Sequence, residues 1–150
     1  MVGEIDMGLL VFLGLEKKDS ELDADKMISK VLSYRVFPDE NQKMNLSLKD
    51  ISGDILLVSQ FTLAAVTKNG TRAGFSTAMP PNEAENLYNY FVAKTRAFNL
   101  KTECGIFGAD MSVSLINDGP VTFLLRETLM SAPKIPHSVL RLNALVFATK

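Results

Sequence analysis

The apolar run GLLVFLGL, residues 8–15, constrains the fold of this chain more than any other feature of the sequence. A short continuous apolar run between glycines is typical of a β-strand that is buried on both faces. Such a strand must be covered by other elements, and this requirement predicts a domain in which helices pack against a sheet.

Two amphipathic helices are predicted around a second buried strand. KKDSELDADKMISKVLSYRVF predicts a helix with Ser20 as N-cap and a stop at Phe37-Pro38-Asp39. Its apolar residues recur at helical spacing, which places them on one face: Ala24, Met27, Ile28, Val31 and Leu32. DILLVSQFTLAA, residues 54–65, predicts the strand, and Pro80-Pro81 opens a helix over residues 81–98.

Short strands are predicted after the second helix, over residues 100–104, 111–116 and 121–126. Between the last two, the stretch SLINDGPVTFLL reads as a hairpin whose turn lies at residues 117–120, although Pro120 has no N–H to donate. The whole pattern predicts a mixed α/β domain with two helices packed on a sheet or open barrel.

The composition excludes several classes of function. With 150 residues, 47% of them hydrophobic, and a net charge of −1, the chain suits one domain without a broad basic surface. Its single cysteine, Cys104, excludes an internal disulfide and a cysteine-based zinc site. Because His137 is its single histidine, we expect a mechanism without an imidazole. We expect a cytoplasmic protein without a signal peptide, metal, cofactor, membrane or DNA partner.

Three short motifs carry polar or small residues where an apolar element would be expected. Ser59-Gln60 interrupts the second strand, and this pair must be hydrogen-bonded to neighbouring loops or face a site. In FGADM, residues 107–111, small residues leave room for a flat ligand or form a tight loop. The peptide bond between Gly119 and Pro120 is either cis or an ordinary trans bond at the start of a strand. Each motif taken alone leaves both alternatives open.

Taken together, the motifs resemble the D-aminoacyl-tRNA deacylase family. KMNLS, VSQFTL, MPPNEAENLYNYF, FGADM and NDGPVT follow one another in this order, and the resemblance spans residues 3–124. It implies a largely antiparallel sheet or open barrel, a homodimer with its site at the subunit interface, and no cofactor. The implied activity is hydrolysis of the ester between a D-amino acid and the 3′ end of tRNA, and also of glycyl-tRNA.

The resemblance also implies roles for individual residues. Ser59, Gln60, Phe61 and Thr62 would line the catalytic pocket, with Thr62 a possible nucleophile and water activated by the tRNA 2′-hydroxyl the preferred alternative. A cis Gly119-Pro120 bond would reach into the partner subunit and exclude L-amino acids. Candidates near the terminal adenosine are Met44, Phe107, Ala109 and Met111, and candidate phosphate contacts are Lys68, Arg72 and Lys101.

The two ends of the chain depart from the family pattern. Members normally begin with a strand and hairpin that precede the position of Gly3-Glu4-Ile5, and they end near the position of Leu125. We therefore expect a deacylase domain over residues 1–125 that lacks its first hairpin, and an atypical tail over residues 126–150. Within the tail, SVLRLNALVFATK can form an extra strand that fills the empty place in the sheet, or the chain is a catalytically impaired remnant that only binds and dimerises.

Overall fold

A computed structural model describes residues 1–127 and 141–149 of the chain. Strands and helices alternate along most of this length. The elements are β1 (Gly8–Gly14), α1 (Glu21–Ser33), β2 (Phe37–Pro38), β3 (Met44–Leu46), α2 (Leu48–Ile51), β4 (Asp54–Ser59), a 3₁₀ turn (Phe61–Ala64), α3 (Pro81–Arg96), β5 (Thr102–Cys104), β6 (Asn117–Glu127) and β7 (Arg141–Thr149).

The main sheet has five strands in the order β5-β4-β1-β7-β6. The ladders β1–β4 and β4–β5 are parallel, whereas β7 is antiparallel to both of its neighbours. A separate small ladder joins β2 and β3, also antiparallel. The mixed α/β class predicted from the sequence is confirmed.

Helix α1 begins where the sequence predicts. Ser20 caps it, because its hydroxyl oxygen accepts from the Asp23 N–H while the Asp23 carboxylate accepts from the Ser20 N–H at 3.0 Å. This reciprocal pair satisfies two amides that the helix itself leaves without partners. The predicted apolar face is confirmed, since all five of its residues are buried.

The core lies between one face of the main sheet and helices α1 and α3. Leu9, Val11 and Leu13 project alternately from β1 into this core, as the two-residue period of a strand requires. The two helices are also joined at their outer surface, where the Tyr90 hydroxyl donates to Asp25 Oδ1 at 3.0 Å. Neither α1 nor α3, nor any other helix within the described residues, is long and apolar enough to cross a membrane.

Strand β4 is shorter than the sequence indicates. It ends at Ser59, and residues 61–64 form a 3₁₀ turn instead of continuing the predicted strand to residue 65. The last ladder bond is donated by the Gln60 N–H to the Leu13 carbonyl at 2.8 Å, and beyond it β1 has also ended. The apolar residues of FTLA therefore fold into a turn because no neighbouring strand continues alongside them.

The hairpin predicted within residues 114–125 is wrong. Residues 111–116 form no strand, and β6 instead begins at Asn117 and runs through the Gly-Pro pair. Its register against β7 shifts between Asn117 and Thr122, so Gly119 and Pro120 lie in an irregular part of one strand. The bond between these two residues is cis.

The C-terminal segment lies inside the sheet. Strand β7 pairs with β1 from Gly8↔Thr149 to Gly14↔Asn143 and with β6 on its other side. In the described part of the chain, β7 is the neighbour that attaches β6 to the sheet. Residues 138–140 of the predicted tail strand, and His137, lie outside the described residues.

Candidate functional site

A cavity of about 710 Å³ opens where β4 ends. Three segments and one isolated residue form its wall: the end of β4 with the start of the 3₁₀ turn, the loop that follows β5, the segment leading into α3, and Lys17. Most of the lining side chains are apolar, as is usual for a site that binds a small organic group.

The end of β4 supplies the polar part of the wall. Ser59 and Gln60 both line the cavity and are half-buried. The Gln60 side-chain amide donates to the Thr62 hydroxyl at 2.7 Å, which fixes the orientation of that amide. Gly14 lets the 3₁₀ turn approach β1 closely, because a Cβ at this position would lie 2.6 Å from Leu63 Cβ.

An aromatic pair stands at the rim. Phe61 is 64% exposed, a large fraction for a phenyl ring, and its aromatic neighbour within the described residues is Phe75, at 5.0 Å between ring centroids with the ring planes tilted by 51°. Both rings line the cavity. Exposed aromatic faces at a cavity mouth are suited to contact with a flat ring such as a nucleobase.

The loop 105–111 forms the facing wall. The Gly105 N–H donates to the Leu57 carbonyl at 2.9 Å, and the same carbonyl accepts from the Tyr88 hydroxyl at 2.8 Å. Phe107 packs on the Tyr88 ring at 5.8 Å between centroids. Burial raises the pKa of Tyr88 well above its ordinary value, so the phenol stays protonated and keeps donating this hydrogen bond.

Few charged groups face the cavity. Among the described residues that line it, Lys17 is the one cation and Asp110 the one anion. The described part of the chain contains no cluster of three or more potential metal ligands.

The structure brings together six of the residues singled out from the sequence. Ser59, Gln60, Phe61, Phe107, Ala109 and Met111 all line this one cavity. Of the other candidates, Thr62 contacts Gln60 from outside the wall, and Met44 lies exposed on β3. Gly119 and Pro120 are exposed and do not line this cavity.

Several wall residues were not predicted as site residues. Phe75, Met79, Ala84 and Lys17 come from a loop, a helix start and a bend, which meet only in the folded chain. The proline pair at 80–81 predicts a helix start from the sequence, whereas its place in the wall follows from the tertiary fold.

Comparison with known proteins shows clear relatives. The family model described as D-Tyr-tRNA(Tyr) deacylase matches residues 1–126. A D-aminoacyl-tRNA deacylase of Pseudoalteromonas translucida is 62% identical over 125 residues, covering 83% of this chain and 86% of the relative. One of Vibrio cholerae is 60% identical over 126 residues, covering 84% of this chain and 87% of the relative.

Two solved structures have a similar fold. A structure titled c-Myc DNA Unwinding Element Binding Protein superposes with a TM-score of 0.73 at 40% identity, covering 78% of this chain and 80% of that one. A second, described as a probable eukaryotic D-amino acid tRNA deacylase, superposes with a TM-score of 0.64 at 16% identity, covering 77% of this chain and 91% of that one. The second likeness supports the fold alone.

Proposed function

Because this chain belongs to the D-Tyr-tRNA(Tyr) deacylase family, we propose that it hydrolyses the ester bond between a D-amino acid and the 3′ end of tRNA. The observation that carries this proposal is the cavity, which gathers the residues of two family-like motifs, SQF and FGADM, around one space. We further propose that the enzyme accepts glycyl-tRNA and works in the cytoplasm, where its substrates are made.

The proposed mechanism relies on positioning. An aminoacyl ester is already reactive, so an enzyme gains most by holding it, stabilising the developing oxyanion and admitting water. Ser59 and Gln60 are the polar side chains of the wall closest in sequence to the 3₁₀ turn, and they would orient the ester. The amides of Phe61 and Thr62, which begin this turn, would act as oxyanion donors, and the vicinal 2′-hydroxyl of the ribose would help to activate the water.

Chiral selection is assigned to Gly119 and Pro120. A side chain at residue 119 would collide with the Val121 amide nitrogen, so only bare main chain fits there. Both residues are exposed and lie away from the wall of their own cavity, so their backbone is free to approach a second copy of the chain. We therefore propose a homodimer in which this backbone closes the partner's cavity and clashes with the side chain of an L-amino acid.

The test is hydrolysis of D-tyrosyl-tRNA by the purified protein, measured as the release of labelled D-tyrosine. We expect enzyme-dependent release and a molecular mass in sedimentation that corresponds to two chains. A folded dimer that binds D-tyrosyl-tRNA without releasing the amino acid would favour the alternative, a remnant that only binds. The observation behind this alternative is that β7, a strand of the main sheet, lies beyond the residues that the family model matches.

Replacement of Thr62 by Val separates the two proposed routes to the ester. If water is the nucleophile, we expect kcat to fall by no more than about tenfold, because only the hydrogen bond from Gln60 is lost. If the Thr62 hydroxyl attacks the ester, its removal should lower kcat by a factor of about 10⁴ or more. Thr62→Ser, which keeps the hydroxyl, is the matched control, and rates are measured on D-tyrosyl-tRNA under single-turnover conditions.

A further inference from the structure

Lys17 is the one cation that faces the cavity in the described part of the chain, and the mechanism proposed above does not use it. The residue is exposed and follows β1 in the bend that leads to helix α1. Its ammonium group makes no hydrogen bond or ion pair with another described residue, in contrast to that of Lys101, which pairs with Asp54 at 3.3 Å. The Lys17 charge is therefore available to a ligand at the cavity mouth.

The backbone of this bend is held firmly against the cavity wall. The Lys17 N–H donates to the Thr77 carbonyl at 3.0 Å, and the Met79 N–H donates to the Leu15 carbonyl at 3.0 Å. Thr77 in turn donates through its hydroxyl to the Ala64 carbonyl at 2.8 Å, at the end of the 3₁₀ turn. Lys17 thus starts from a backbone position fixed relative to the proposed ester-binding residues.

The proposed substrate carries a negative charge that a cation at the cavity mouth can neutralise. The aminoacyl group and the adenosine suit the apolar interior, whereas the phosphodiester that joins this adenosine to the preceding nucleotide must stay in contact with water or a counter-charge. Asp110, the other charged lining residue, would repel a phosphate. Among the charged lining residues, Lys17 therefore has the positive charge that would attract the phosphate.

We propose that Lys17 binds the phosphate on the 5′ side of the terminal adenosine and so sets how deeply the tRNA end enters the cavity. This inference rests on the proposed function, because it takes the tRNA 3′ end as the ligand. A lysine ammonium acts on phosphate as a point charge, and its contribution is largest where neighbouring apolar surface displaces water.

The test compares Lys17→Met with Lys18→Met, a matched change at the adjacent exposed lysine, which does not line the cavity. With D-tyrosyl-tRNA we expect Lys17→Met to raise KM about tenfold. The slope of log kcat/KM against the logarithm of the salt concentration should become shallower by about 0.7, as expected for one lost phosphate contact to a single strand. With D-tyrosyl-adenosine, which lacks the phosphate, both variants should match the parent within about twofold. Lys17→Arg should restore the salt slope.

An equal loss on both substrates would overturn the proposal, since it would show a structural role for Lys17. Equal behaviour of the two lysine variants on tRNA would overturn it as well. Calorimetric binding of 5′-AMP and adenosine gives a readout that does not need catalysis. The parent should bind 5′-AMP more tightly than adenosine, and Lys17→Met should bind the two ligands with equal affinity. If the protein binds these ligands but does not hydrolyse D-tyrosyl-tRNA, the proposed function fails, while the binding data still test the phosphate site.

Discussion

Ala109→Trp is expected to lower kcat/KM for D-tyrosyl-tRNA hydrolysis by at least about 100-fold while the protein stays folded. Ala109 is exposed, lines the cavity and lies in the loop opposite Ser59 and Gln60. An indole there would occupy the space that the aminoacyl-adenosine needs. The backbone should tolerate the change, because the hydrogen bond that residue 109 makes within the described part of the chain is donated by its main-chain N–H, to the Ile106 carbonyl at 3.3 Å.

The matched control is Ala93→Trp, which introduces the same indole at an exposed position of α3 that does not face the cavity. Its kcat/KM should stay within about twofold of the parent, since surface changes away from a site have small effects. Activity is measured on both variants after their circular dichroism spectra have been compared. Full activity of Ala109→Trp would show that the substrate does not enter this cavity.

Val146→Asp is expected to lower the free energy of unfolding by at least about 3 kcal/mol. Val146 is 2% exposed and lies between Val11 of β1 and Phe123 of β6 in the sheet register. Its side chain belongs to the helix-facing core. A carboxylate at this position would be buried without a partner, and the same change would loosen β6, which carries Gly119 and Pro120.

Leu22→Asp provides the comparison, because it makes the same kind of change at a residue that is 62% exposed in the first turn of α1. An acidic residue there interacts favourably with the helix N-terminus, so stability should change by no more than about 0.5 kcal/mol. Both variants are followed by urea denaturation. If Val146→Asp unfolds at the same urea concentration as the parent, β7 does not lie in the core.

Local signals predicted the local parts of the fold. Ser20 and the apolar face that follows it predict the start and the buried face of α1 correctly, because a cap and a 3.6-residue period are both contained within a few turns of chain. The predicted stop at Phe37 is wrong, since α1 ends at Ser33 and Phe37–Pro38 form strand β2. The run at residues 8–15 gave β1 within one residue. The predicted strand at 111–116 failed, since alternation alone does not show whether a partner strand lies alongside.

The candidate site likewise contains residues that a local sequence pattern indicates and residues that only the tertiary fold brings to it. Ser59 and Gln60 stood out because polar residues interrupt an apolar run, and the cavity indeed opens at this interruption. Their meeting with Phe107 and Met111 depends on β5 lying beside β4, which is a long-range pairing that periodicity cannot supply. The sequence does not single out Lys17, because nothing in its neighbourhood distinguishes it from Lys18 until the bend folds against Thr77.

Removal of D-amino acids from tRNA by this chain is measured by the ratio of its hydrolysis rates on D-tyrosyl-tRNA and L-tyrosyl-tRNA. Both substrates are prepared on the same tRNA and hydrolysed at equal enzyme concentration, with the spontaneous hydrolysis of each subtracted. We expect rapid release of D-tyrosine and release of L-tyrosine that is slower by a factor of at least about 100, because steric exclusion of a side chain corresponds to several kcal/mol. Equal rates on the two substrates, or no release of D-tyrosine by the folded protein, would show that this chain is not a D-specific deacylase.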